Sequence, residues 1–177
     1  EPLSNLDAKL RIELRSEIRR ICKESGITGV YVTHDQKEAL SMADRIAIVN
    51  QGRIVQIGAP AELYRRPRSR FVAEFLGETN FLPARVLQRD DGRLTVTTAA
   101  GQLESTQVSP AVGAGAADVV VSIRPEAFRI LAPGAGERNA LTGRIGSSIY
   151  LGETAQLAAE LPDGARVRVS QLNPTFG

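Results

Sequence analysis

The first stretch of the chain has apolar residues at helical spacing. Leucines and isoleucines recur at intervals of four and three, so they share one face of a helix from about Leu6 to Glu24. Gly26 is placed to end this helix. We expect the apolar stripe to pack into a core, and it consists of Leu6, Leu10, Leu14, Ile18 and Ile21.

A β-branched and aromatic run, Val30–Thr33, follows and predicts a buried strand. Asp35 and Glu38 have the spacing of a capping box at the start of a helix over Gln36–Ala43. His34 is the only histidine of the chain, and this pattern places it at the carboxyl end of the strand. Open α/β sheets bind their ligands at such a strand-to-helix turn. A lone histidine can equally be an ordinary turn residue.

The rest of the first half predicts a hairpin and two short helices. Alternating apolar residues in Arg45–Val49 and Arg53–Ile57 flank a turn at 50–52 that contains Gly52. Helices are then expected over Pro60–Tyr64 and Ser69–Leu76. Gly77 closes the second helix, and the composition shifts there, so we predict a domain boundary at this residue.

Beyond Gly77 the apolar period becomes strand-like, and turn residues recur at short intervals. This pattern is typical of a small all-β barrel or sandwich. The expected strands are Phe81–Gln88, Leu94–Thr97, Leu103–Val108, Val119–Arg124, Leu141–Tyr150, Thr154–Leu161 and Ala165–Leu172.

Composition and charge argue against some classes of function. The net charge of +2 divides into +3 for residues 1–77 and −1 for residues 78–177. An OB-like nucleic-acid binder needs stacking aromatic residues on a basic groove, so the slightly acidic second part argues against it. No run of about 18 apolar residues predicts a membrane span. Cys22 is the only cysteine, so the chain can form no internal disulfide.

Several short motifs together resemble a known family. Glu1–Ala8, Val32–Gln36 and the hairpin at Gly52–Ile54 resemble, in order and spacing, the second half of the ATP-binding subunit of an ABC importer. Phe81–Pro83 and Ile123–Glu126 resemble its C-terminal regulatory (TOBE) domain. The resemblance implies an α+β chain. Residues 1–77 would be the C-terminal part of a P-loop ATPase α/β domain, and residues 78–177 an all-β OB-like barrel that stops before its last strand.

The resemblance also implies roles for individual residues. Glu1 resembles the catalytic glutamate that polarises the water attacking the γ-phosphate, and His34 resembles the histidine that hydrogen-bonds the γ-phosphate. Taken alone, Glu1 would be a solvated charge, and Ser4 or Asp7 would be a helix N-cap. Arg124 and Glu126 are assigned only a structural ion pair. The D-loop, which crosses the dimer interface in this family, corresponds to Ser4, Asn5, Leu6 and Asp7.

The chain departs from the family pattern in one important respect. It has no glycine-rich P-loop, no glutamine loop, no Leu-Ser-Gly-Gly-Gln signature and no aspartate before Glu1. Without the P-loop there is no cradle for the β- and γ-phosphates. The resemblance implies ATP and Mg²⁺ for the parent protein. For this piece of it we expect no cofactor, no metal site and no hydrolysis.

The implied function is solute import driven by ATP hydrolysis. The parent would work at the cytoplasmic face of the membrane, bound peripherally through permease subunits. Residues 77–81 favour polyamine-type relatives slightly over those for sugars or ferric iron. A second copy of the chain is an expected partner, because unpaired strand edges favour association. The alternative is a stand-alone, non-catalytic regulatory or dimerisation module.

Overall fold

A computed structural model describes residues 8–110, 112–132, 134 and 136–174. The predicted site residues Glu1 and Ser4–Asp7 lie outside the described residues. The chain divides into two compact units, Glu1–Gly77 and Glu78–Gly177. Among the helices in the described ranges, none has the length and apolar character needed to cross a membrane.

The helices of the first unit follow the sequence pattern closely. After the long first helix, Gly26 adopts φ +63°, and the Ile27 N–H donates to the Cys22 carbonyl at 3.0 Å, which closes the last turn. Ser69 caps the fourth helix by accepting the Val72 N–H. The bounds are α1 Ala8–Glu24, α2 Gln36–Met42, α3 Pro60–Arg65 and α4 Arg70–Phe75.

The predicted hairpin is confirmed as β1, Ile46–Asn50, paired antiparallel with β2, Arg53–Gly58. Gln51 (φ +47°) and Gly52 (φ +73°) form its turn with two positive φ angles, as a tight right-twisted hairpin requires. One face of this hairpin packs on the short helices. The buried core cluster of the unit is Ile46, Ile48, Leu63, Val72 and Leu76.

The expectation that the α1 stripe belongs to this core was wrong. Leu10 is 38% exposed and Ile21 is 45% exposed, while Leu14 and Ile18 are only half-buried. The buried cluster is built from the hairpin, α3, α4 and the residue that follows it, so α1 supplies none of its members. A periodic stripe fixes which face of a helix is apolar, but not whether the fold supplies something to cover it.

The predicted buried strand at Val30–Thr33 was also wrong. This segment forms no strand, and the side chains of Val30 and Val32 are 91% and 81% exposed. A strand needs a hydrogen-bonded neighbour. In the described part of the first unit, β1 and β2 pair only with each other, so this segment has no partner ladder.

The described part of the second unit is built from two antiparallel sheets. Their strand orders are β5-β4-β3-β6 and β7-β8-β9. The one helical element of these residues is a 3-10 turn at Pro125–Ala127. The strands are β3 Asn80–Asp90, β4 Arg93–Thr98, β5 Gly101–Ser105, β6 Asp118–Ile123, β7 Arg144–Tyr150, β8 Thr154–Glu160 and β9 Arg166–Leu172.

The core of the second unit consists of two adjoining clusters. Leu82, Ala100, Leu161 and Val167 form one, and Ala84, Leu94, Val96 and Leu103 form the other. Val121, Ile123 and Leu141 pack against both clusters. The all-β character is therefore as predicted, but no strand ladder joins the two sheets among the described residues, which form open sheets and not a closed barrel.

Candidate functional site

His34 lies in the loop between α1 and α2, two residues before α2 begins, and it is exposed. The sequence pattern placed it at the end of a strand, which is wrong because residues 30–33 form none. Glu1 and the predicted D-loop residues lie outside the described residues. The structure therefore describes the surroundings of His34 alone among the predicted site residues.

Asp35 caps the helix that follows His34. Its Oδ1 accepts the backbone N–H of Lys37 at 2.8 Å and that of Glu38 at 3.3 Å, which confirms the predicted N-cap. The reciprocal half of the capping box was wrong. The Asp35 N–H donates to Thr33 Oγ1 at 2.9 Å, and the Glu38 side chain points to other partners.

Glu38 is the buried polar centre of this region, with only 6% of its surface exposed. Its Oε2 accepts the hydroxyls of Thr33 at 2.6 Å and Tyr31 at 3.2 Å, and its Oε1 accepts Arg15 Nη2 at 2.8 Å. The hydrogen bond from Thr33, followed by the contacts with Arg15 and Tyr31, holds the pKa of the Glu38 carboxyl below its usual range despite its burial. Glu38 is therefore the ionised anchor of the loop that contains His34.

Arg15 is the functional candidate that the sequence pattern missed. It belongs to the polar positions of α1, yet its side chain is only 12% exposed and spans two acidic partners. Arg15 Nη2 lies 2.8 Å from Glu38 Oε1 and 3.3 Å from Asp35 Oδ2. The sequence contains no signal for this contact, since the residues are 20 and 23 positions apart.

A groove of about 520 Å³ lies beside this network, between α1 and α2, and is rich in basic residues. Four of its cations, Arg15, Arg19, Arg20 and Lys23, already have acidic partners. Arg19 donates to the Met42 carbonyl and to Asp44, and Lys23 contacts Asp44 at 2.7 Å. The hydrogen bond from Lys23, together with that from Arg19, lowers the pKa of Asp44. The positive charge of these four residues is thus partly compensated by carboxylates of the same unit.

The described residues do not assemble a complete nucleotide site. His34 presents an accessible imidazole, which can hydrogen-bond a phosphate oxygen. Arg15 and Glu38 are occupied with each other, and the sequence contains no phosphate-binding loop. Among the described residues, no cluster of three or more His, Cys, Asp or Glu side chains could hold a metal ion.

Comparison with known proteins bears on both units. Residues 121–176 match the family model of the TOBE domain. The chain is 43% identical over 175 residues to the spermidine/putrescine import ATP-binding protein PotA 1 of Pseudomonas aeruginosa. The aligned region covers 99% of this chain and 46% of that protein. This chain is similar to the C-terminal portion of ABC importer ATP-binding subunits.

Two further spermidine/putrescine import ATP-binding proteins show a similar identity and coverage. PotA of Pseudomonas fluorescens is 44% identical over 98% of this chain and 46% of its own length. PotA of Rubrobacter xylanophilus is 41% identical over 98% of this chain and 45% of its own length. The chain thus spans about half the length of the curated relatives it matches. The TOBE match includes all of β7, β8 and β9, so the three-stranded sheet lies within it.

Proposed function

We propose that this chain is part of an ATP-binding subunit whose parent protein hydrolyses ATP to drive polyamine import. The observation that supports this most is the 43% identity, across 99% of the chain, to a protein named for spermidine and putrescine import. Import of sugars or ferric iron by the same subgroup is the less favoured substrate assignment.

In this proposal His34 and Glu1 are the catalytic residues. The exposed imidazole of His34 hydrogen-bonds the γ-phosphate, and the Glu1 carboxylate orients the attacking water in line. Ser4, Asn5, Leu6 and Asp7 form the D-loop at the interface with a second copy. ATP and Mg²⁺ bind to the parent protein, where a phosphate-binding loop would supply the cradle that this sequence lacks.

The two units have different tasks in this proposal. Residues 1–77 are the C-terminal part of a P-loop ATPase α/β domain, and residues 78–177 are an OB-like TOBE domain with a regulatory function. The TOBE match at residues 121–176 and the antiparallel sheets of the second unit support this division. The protein works at the cytoplasmic face of the membrane as a peripheral subunit.

The proposed partners are transmembrane permease subunits and a second copy of the protein. The exposed apolar side chains of Val30 and Val32 support association, because covering them would remove apolar surface from water. Neither nucleic acid nor the lipid bilayer itself is a proposed partner.

The first experiment is to read the gene upstream of the Glu1 codon for the P-loop and the Leu-Ser-Gly-Gly-Gln signature, and then to express the whole reading frame. That product should restore uptake of labelled spermidine or putrescine in a bacterium that lacks its own polyamine-import ATPase. Restored maltose or ferric-iron uptake without polyamine uptake would contradict the substrate assignment.

His34 provides the sharper test of the mechanism. His34→Ala in the whole protein should lower ATP hydrolysis by at least tenfold, because the γ-phosphate loses its hydrogen-bonding partner. Lys37→Ala is the matched control, since Lys37 is an exposed residue of the same segment and its backbone N–H, not its side chain, bonds the cap. Equal hydrolysis by wild type and His34→Ala would overturn the proposed role.

The second candidate is a stand-alone, non-catalytic regulatory or dimerisation module. The lack of a P-loop in the sequence favours it for the chain by itself. A start codon close to Glu1, together with transport that is unaffected by His34→Ala, would favour this candidate over the first.

A further inference from the structure

The loop that contains His34 is held at both ends by a single buried carboxylate. Glu38 belongs to the first turn of α2, and it accepts hydrogen bonds from Tyr31 and Thr33, which precede His34. A buried carboxylate is costly unless it is fully hydrogen-bonded, and these hydroxyls and Arg15 meet that need. The charge of Glu38 thus ties the chain before His34 to the helix after it.

Arg15 connects the same loop to α1. Its Nη2 bonds Glu38 at 2.8 Å and Asp35 at 3.3 Å, so one guanidinium nitrogen contacts the acidic residue directly after His34 and the anchor three residues further on. Its Nε–H is buried and has no partner among the described residues, so the contact depends on Nη2. Loss of either acidic partner would leave this guanidinium under-satisfied.

The backbone on both sides of His34 is fixed within this network. Thr33 Oγ1 donates to Glu38 and accepts the Asp35 N–H at 2.9 Å, which bridges over His34. The Asp35 carboxylate in turn accepts the N–H groups of Lys37 and Glu38. His34 is therefore an exposed side chain on a backbone whose two neighbours are hydrogen-bonded.

From this geometry we infer that Glu38 and Arg15 are positioning residues for His34, and that they set the direction in which its imidazole faces. This inference rests on the proposed role of His34 at the γ-phosphate. Neither residue needs to contact the nucleotide for this role. Both act through Thr33 and Asp35, the residues on either side of His34.

The chain itself allows a direct test, because His34 is its only histidine. Its imidazole C–H signals in a ¹³C-edited NMR spectrum report on this loop alone, with no nucleotide present. Glu38→Gln keeps the shape but turns one oxygen into a donor that faces other donors. We expect the imidazole signals to move towards free-peptide positions, and the Asp35 amide to exchange at least tenfold faster.

Arg15→Met should produce the same two changes, and Glu62→Gln is the matched control, because Glu62 is an exposed glutamate of the same unit. The amides of Ile48 and Val72 in the core report whether the unit is still folded. If Glu38→Gln unfolds it, Thr33→Val and Tyr31→Phe remove one hydroxyl each and should give smaller shifts of the same kind. Unchanged His34 signals and unchanged Asp35 exchange in folded variants would overturn the inference.

ATP hydrolysis by the whole protein separates this inference from the proposed function. Glu38→Gln should lower kcat about tenfold and leave KM for ATP within twofold, because only the hydrogen bond from His34 to the γ-phosphate is displaced. If the His34 imidazole signals shift and the Asp35 amide exchanges faster while kcat is unchanged, the positioning role is overturned. The proposed function would still stand in that case if His34→Ala lowers hydrolysis. Full activity of His34→Ala would overturn the proposed function, while the NMR result would stand independently.

Discussion

The carboxamide of Asn80 pairs with both backbone groups of Arg168. Asn80 Oδ1 accepts the Arg168 N–H at 2.7 Å, and Asn80 Nδ2 donates to the Arg168 carbonyl at 2.8 Å. The same Nδ2 also donates to the Ile123 carbonyl at 3.2 Å. This buried side chain thus replaces a peptide group, and it joins the first residue of β3 to β9 of the other sheet.

Asn80→Leu should therefore destabilise the second unit by about 2–3 kcal/mol, because the backbone groups of Arg168 and Ile123 lose the hydrogen bonds that this buried side chain makes to them. Asn80→Asp should be at least as harmful at neutral pH, since its second oxygen faces two carbonyls. A urea titration followed by NMR signals of β9 measures the loss. Gln88→Ala, at an exposed position of β3, is the control and should leave the midpoint nearly unchanged.

Glu38 should make the first unit sensitive to acid. Its pKa in the folded chain is lowered from the usual 4.5, so its stabilising effect is complete above about pH 4.5 and disappears as the pH falls through the lower, folded value. At pH 7, Glu38→Gln should lower the free energy of unfolding by about 1–3 kcal/mol.

The difference between wild type and Glu38→Gln should shrink steadily below pH 4.5. Urea unfolding at several pH values between 7 and 3 measures this difference. The lowered pKa values of Glu17 and Asp44 are common to both proteins and cancel in it. A difference that stays constant down to pH 3 would contradict the assignment of the ionised anchor to Glu38.

Gly101 has a conformation and a neighbour that exclude a side chain. Its φ is +151°, and an added Cβ would lie 2.5 Å from the Ala140 carbonyl oxygen. Gly101→Ala should therefore destabilise the second unit by about 3 kcal/mol, by backbone strain and displacement of the Ala140 backbone. Thermal unfolding measures this.

Gly92→Ala is the matched control for that substitution. Gly92 also has a positive φ, +75°, but an added Cβ would meet nothing within 4 Å. Gly92→Ala should lower the free energy of unfolding by only about 1 kcal/mol, because its only cost is the strain of a positive φ at alanine. If both variants lose the same free energy of unfolding, the contact with the Ala140 carbonyl does not contribute to the effect of Gly101→Ala.

Gln51 offers a stabilising substitution. It occupies the first position of the β1–β2 turn with φ +47°, a conformation that asparagine adopts more readily than glutamine. Gln51→Asn should raise the free energy of unfolding of the first unit by up to about 1 kcal/mol. Gln107→Asn, at an exposed loop position of the other unit, should have no such effect on the first unit.

Local patterns predicted most of the secondary structure. The stop at Gly26, the N-caps at Asp35 and Ser69 and the turn before Gly52 all depend on residues within a few positions of one another, so the sequence contains them. Strand alternation after Gly77 likewise predicted the strands of the second unit, whose ladder neighbours are mostly successive along the chain. The motif at Val32–Gln36 was enough to select His34 as the candidate.

Long-range contacts could not be predicted from the sequence, for a physical reason. Apolar periodicity shows which residues favour burial, but the covering element decides whether burial occurs. Val30 and Val32 are therefore exposed, and so are Leu10 and Ile21 of the α1 stripe. Spacing predicts only a local capping role for Glu38, because its partner Arg15 is 23 positions away along the chain. The sequence determined the helices, turns and the candidate histidine. Only the tertiary structure decided which charged residues form ion pairs. A buried carboxylate needs hydrogen-bond donors, and the fold determines which donors lie within hydrogen-bonding distance.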